Sequence, residues 1–125
     1  MTSNKQQTAV EFVPYELALE LKQLGFDEPC FGVYATKDGY VRKSAYDENG
    51  DAPTFSQAFR WFREKYNLKG GILYIGGMQP KTTWWDIYVV GHYNIEYNEM
   101  EMKYQPYEEA ELELLKKLIE IAKNK

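Results

Sequence analysis

Hydrophobic residues recur along the chain in two different periods, and the changes of period mark its elements. Between residues 52 and 68 (APTFSQAFRWFREKYNL), Phe55, Ala58, Phe59, Phe62 and Tyr66 recur at helical spacing on one narrow stripe, while Ser56, Arg60, Arg63 and Glu64 point elsewhere. Pro53 and Thr54 mark the start of this helix. Thr54 and Gln57 have the spacing of a capping box, in which each side chain satisfies a backbone N–H at the helix entrance. The stripe predicts a helix laid on a sheet, its aromatic rings each contributing on the order of 2–3 kcal/mol when buried. Trp61 lies off the stripe. An indole on a helix flank packs under a neighbouring element more often than it binds a partner, and both roles are carried forward.

Two more helices flank this one. Leu17, Ala18, Leu21 and Leu24 give an apolar face to a helix that opens at Pro14 and closes at Gly25, a glycine placed as a C-cap; Tyr15 and Leu19 form a smaller strip on its other side. The last helix runs from Pro106 and Tyr107 to about Lys123, with Glu108, Glu109 and Glu111 early and Lys116, Lys117 and Lys123 late, as the helix dipole favours. Its apolar residues, from Tyr107 and Ala110 to Ile121 and Ala122, span an arc wider than one sheet contact needs.

Elsewhere the period shortens to two. A strand after Pro29 leads to Asp38-Gly39, a hairpin signal, and a return strand over 40–45 ends in the turn-rich loop 47–51. Gly70-Gly71 and Gly76-Gly77 bracket a short strand over 72–75; neither pair belongs to a phosphate-binding glycine motif, and both read as turns. In the strand over 82–90, Trp85, Ile87 and Val89 alternate with Trp84, Asp86, Tyr88 and Val90, which predicts a central strand with Trp84 and Tyr88 on the face away from the helices. Ile95 and Tyr97 share one phase, Met100, Met102 and Tyr104 the opposite one, so a bulge or a turn falls at Asn98-Glu99. The order is α-β-β-α-β-β(-β)-α. It predicts a single α+β domain, a mostly antiparallel sheet of four to five strands packed against three helices, with residues 1–8 as a frayed polar tail.

Composition narrows the partners. A net charge of -4 and a pI near 5.1 argue against binding a phosphate backbone, so no nucleic acid is expected. One cysteine, no basic and apolar leader pattern, and apolar runs far short of the ~18 residues of a membrane span predict a cytoplasmic protein with no membrane partner. Eleven tyrosines, each with an apolar body and a polar tip, suit half-buried sheet faces and contact surfaces alike.

Chemistry-bearing residues are few. Cys30 and His92 are the one thiol–imidazole pair available for nucleophilic catalysis, but a strand cysteine beside Pro29 is first of all a small buried hydrophobe. Asp27 and Glu28 form an acidic turn, and the carboxylates of the loop 47–51 lack calcium-loop spacing. Arg42, Lys43, Arg60, Arg63 and Lys65 make a cationic set diluted by neighbouring acids. No cofactor or metal is expected. The reading that follows is a noncatalytic protein-interaction module, binding a protein partner or itself through Trp84, Tyr88, Trp61, Arg60 and Arg63. The alternative is a small-molecule binding protein with an aromatic-lined pocket between sheet and central helix.

Three segments, FVPYELALELKQLGFDEPCFGVY, APTFSQAFRWFREKYNL and YEEAELELLKKLIEIAK, resemble a group of small uncharacterised proteins of bacteria and their phages or mobile elements. The resemblance covers nearly half the chain. It implies a shared fold and a mobile-element context, and no assigned activity.

Overall fold

A computed structural model describes residues 12–30, 32–34, 41–42, 51–76, 84–92, 94–99, 103–104 and 106–125. The chain forms two compact units, Met1–Ala58 and Phe59–Lys125. The expected frayed tail, the Asp38-Gly39 turn and most of the loop 47–51 lie outside the described residues.

In the first unit, helix α1 spans Tyr15–Gln23. Gly25 takes φ +108°, the left-handed backbone that glycine adopts without strain. The Phe26 N–H then donates to Leu21 O and the Gly25 N–H to Lys22 O, the pair of bonds that closes a Schellman ending. Phe26 and Leu21 are both buried at that turn. Strands β1 (Gly32–Tyr34), β2 (Val41–Arg42) and β3 (Asp51–Ala52) form a sheet with β1 in the middle. The register Val33 to Arg42 and Tyr34 to Val41 is the antiparallel hairpin expected from the sequence. Strand β3 was not expected: it pairs Gly32 with Ala52 where the pattern suggested only the end of a loop. Phe12 and Ala52 share a small core packed by Tyr15 and Ala18.

Helix α2, Phe55–Lys65, starts in this unit. Half of the expected capping box forms, the Gln57 N–H donating to Thr54 Oγ1 at 3.1 Å. The other half does not. The Gln57 side-chain amide donates instead to Pro29 O at 2.8 Å and to Glu28 Oε1 at 3.3 Å, tying the helix entrance to the turn after α1.

The second unit takes over within α2. Trp61 and Phe62 are buried there, their rings 5.1 Å apart and nearly perpendicular, with Tyr66 5.5 Å from the indole. Asn67, at φ +56°, ends the turn, and the Leu68 N–H donates to Phe62 O. Strands β4 (Lys69–Ile75), β5 (Trp84–Val90) and β6 (Ile95–Asn98) form an antiparallel sheet with β5 central, as the sequence predicts. Helix α3, Tyr107–Lys123, packs on β5 and β4.

The fold is therefore α+β with three helices. In place of one sheet of four to five strands, the described residues hold two antiparallel sheets of three, because each hairpin finds its third strand within its own unit. Gly70 and Gly71 are not a turn either: they pair with Val89 and Tyr88 inside β4. The bulge lies earlier than the Asn98-Glu99 position expected from the sequence. It separates the pairings Val90 to Ile95 and Val89 to Tyr97, and beyond it the Glu99 N–H reaches Ile87 O while Tyr104 pairs with Trp85. Among the described residues, no helix is long and apolar enough to cross a membrane.

Candidate functional site

The β4–β5 ladder has two faces, fixed by its register. Gly70, Ile72 and Tyr74 stand opposite Val89, Ile87 and Trp85 on the α3 side; Gly71, Leu73 and Ile75 stand opposite Tyr88, Asp86 and Trp84 on the other. On the α3 side Ile87, Val89 and Leu114 are buried. Leu114 sits so close to Gly70 that a β-carbon there would lie 2.9 Å from its Cδ1. On the other side the Tyr88 ring occupies the space a β-carbon on Gly71 would need. The two sequence-predicted residues, Trp84 and Tyr88, share this second face. Trp84 is half-buried, Tyr88 is 37% exposed, and Leu73 on the diagonal is 50% exposed. Between them Asp86 is buried, its Oδ1 accepting the Lys103 N–H at 3.0 Å, which ties Lys103 to β5.

The sequence did not point to the second aromatic group. Trp85 alternates with Ile87 and Val89 and so was assigned inward, but it lies at the end of β5, where α3 begins. Its indole is half-buried there, between Tyr74 and Tyr107. Ring centroids are 4.9 Å and 5.1 Å apart, and the two phenol planes stand at 67° and 82° to the indole. Tyr74 is 54% and Tyr107 41% exposed. Two phenols packed edge-to-face with one indole form a partly exposed aromatic corner. Glu108 and Glu111 follow in the first turns of α3, and burial together with these carboxylates pushes the Tyr107 phenol pKa up. Partial burial and the Glu108 charge likewise raise the Glu111 carboxyl. The available signal was positional: an aromatic at a strand end facing an aromatic at a helix start.

A third cluster is buried. The Glu99 side chain, 4% exposed, accepts hydroxyls from Tyr97 at 2.7 Å and Tyr104 at 3.1 Å on Oε2, with Lys103 Nζ at 3.6 Å. Its Oε1 is buried with no hydrogen-bond partner among the described residues. Burial, then the bond and charge of Glu99, push the Tyr104 phenol far above its ordinary range. Lys117 of α3 lies 4.2 Å over the Tyr97 ring. A carboxylate held by two phenols and an ammonium fastens the irregular sheet edge on the α3 side; it is an anchor rather than an exposed site.

Trp61, expected among the binding residues, is buried against Phe62 and Tyr66, so its indole serves the core. Arg60 and Arg63 are exposed on α2. Cys30, in the first unit, donates its thiol to Glu28 O at 3.3 Å, and His92, in the second, is exposed with its Nδ1 2.8 Å from Asn67 Nδ2. Among the described residues, no group of three or more His, Cys, Asp or Glu is placed to hold a metal ion. No protein-family model matches the chain, and no curated protein or solved structure matches it.

Proposed function

We propose that this chain is a noncatalytic protein-interaction module of the cytoplasm, with β4 and β5 as its contact surface. The observation that carries the reading is the row of exposed apolar side chains on those strands: Leu73 and Tyr88 on one face, Tyr74 on the other. Large apolar groups grouped in this way, rimmed by polar ones, suit association with a protein partner or a second copy. The edge position of β4 adds to this support. In the sheet of described residues it is an outer strand, and its seven residues carry one charge, Lys69 at the start, and no proline, so it lacks the usual protection against strand pairing. A net charge of -4 makes nucleic acid a poor partner. The resemblance to bacterial and phage proteins suggests a mobile-element setting.

Native mass spectrometry of protein isolated from its own cells tests this reading. The wild-type chain is expected to carry a protein partner or a second copy, and the Leu73→Ser/Tyr88→Ser variant, with an unchanged circular dichroism spectrum, is expected to lose it. A retained mass of a few hundred daltons would replace the reading with the small-molecule alternative. A bare monomer from the wild type would end it.

A further inference from the structure

The corner formed by Tyr74, Trp85 and Tyr107 differs in character from the Leu73–Tyr88 face, because acidic groups adjoin it. Aromatic faces carry negative quadrupole charge, and a ring face left open to solvent attracts a cation. The two phenols pack edge-to-face with the Trp85 indole, their planes at 67° and 82° to it, and both tyrosines are about half exposed, so ring surface stays open to solvent. Glu111 lies one helical turn beyond Tyr107 on the same strip, and Glu108 is adjacent in sequence. Among the described residues neither Glu108 nor Glu111 has an ion-pair partner, whereas Glu113 and Glu120 of the same helix pair with Lys116 and Lys117. Two like charges three residues apart repel each other, and a cation placed between them and the rings relieves that repulsion.

We infer that this corner binds a cationic side chain, an arginine on an exposed segment of a partner protein. Arginine fits better than lysine because its planar guanidinium can stack on the Trp85 or Tyr107 ring while its N–H groups reach the Glu108 and Glu111 carboxylates. The proposal rests on the interaction-module reading and names the chemistry of the partner.

The test is an NMR titration of the intact chain with a blocked hexapeptide containing two arginines, and with its citrulline twin, which keeps the shape and loses the charge. Trp85→Phe identifies its signal among the three indole N–H resonances. The arginine peptide is expected to shift the Trp85 indole and the amides of residues 107–111, and the citrulline peptide to bind about tenfold more weakly. Glu108→Gln/Glu111→Gln is expected to weaken the arginine peptide about three- to tenfold, and added salt to do the same. Equal binding of the two peptides overturns the proposal, as does the absence of any shift at Trp85. Shifts confined to Leu73, Trp84 and Tyr88 overturn it while leaving the interaction reading intact. Choline binding as tightly as the peptide reassigns the corner to a small free cation.

Discussion

The two faces of the β4–β5 ladder are built from alternate residues of the same two strands and have a similar apolar content, yet they do different work. On the α3 side Ile87 and Val89 are fully buried beneath a helix that contributes Leu114, and the packing ends only at the Tyr74, Trp85 and Tyr107 corner. On the opposite side Leu73 and Tyr88 remain about half in water, and the most buried group is a carboxylate, Asp86, bonded to backbone. Each face also uses one glycine of the Gly70-Gly71 pair, the first to admit a helix side chain and the second to admit a tyrosine ring. The apolar count of a strand face therefore does not say whether it is core; what lies across from it does. In this sheet, stability is concentrated on one face, and the capacity for contact on the other face and the open corner.

The sharpest way to break that comparison is to truncate a leucine on each side. Leu114→Ala should cost about 2–5 kcal/mol in urea unfolding, because a fully buried side chain leaves a cavity. Leu73→Ala should fall within about 0.5 kcal/mol of the wild type, as expected for a half-exposed site. If the two cost the same, Leu73 belongs to a core and the contact surface disappears. The glycine pair gives a finer contrast. Gly70→Val should cost about 2 kcal/mol, since its branches press on Leu114, which is itself buried. Gly71→Val should cost less than about 1 kcal/mol, because the Tyr88 ring can swing into solvent and the unfolded chain loses freedom. Equal penalties would mean that Tyr88 is held as firmly as Leu114.

What was legible in the sequence was what is local. The three helices follow from stripes and end signals a few residues apart, and Gly25 and Thr54 act at those ends as expected. The alternation in β5 correctly assigns its faces, and its central position follows from having large apolar groups on both. Alternation gives a face but not a depth: it could not show that Trp85 lies where α3 only begins, so that an inward residue is half open. Trp61 lies off the main stripe of its helix and is buried all the same, its ring meeting Phe62 and Tyr66, so a stripe alone did not decide between its two roles. Gly70 and Gly71 read as turn residues because the groups that require them, Leu114 and Tyr88, are remote in sequence. The Glu99 cluster brings Tyr97 and Tyr104 to one carboxylate, and only their separate pairings with β5, to Val89 and to Trp85, place both on that edge.

That cluster supplies the smallest of the expected effects and a test of how the α3 side ends. Tyr104→Phe removes one hydroxyl from Glu99 Oε2 and leaves Tyr97 and Lys103 in place, so at neutral pH it should cost about 1 kcal/mol. Its pH dependence tests whether the folded chain holds the phenol proton. Burial and Glu99 raise the Tyr104 phenol pKa above the unfolded value of about 10, so the folded chain holds that proton more tightly than the unfolded one. The resulting stability is fully present below about pH 10 and is lost as the pH rises from there toward the folded value. Lysines also titrate in this range, but they are common to both proteins. The gap between wild type and Tyr104→Phe, measured by urea unfolding at pH 7, 9, 10.5 and 11, should therefore hold steady to about pH 9 and narrow above pH 10. A gap that stays constant to pH 11 would mean that the Tyr104 phenol is neither buried nor bonded to Glu99 in solution, and that this edge stands open to water.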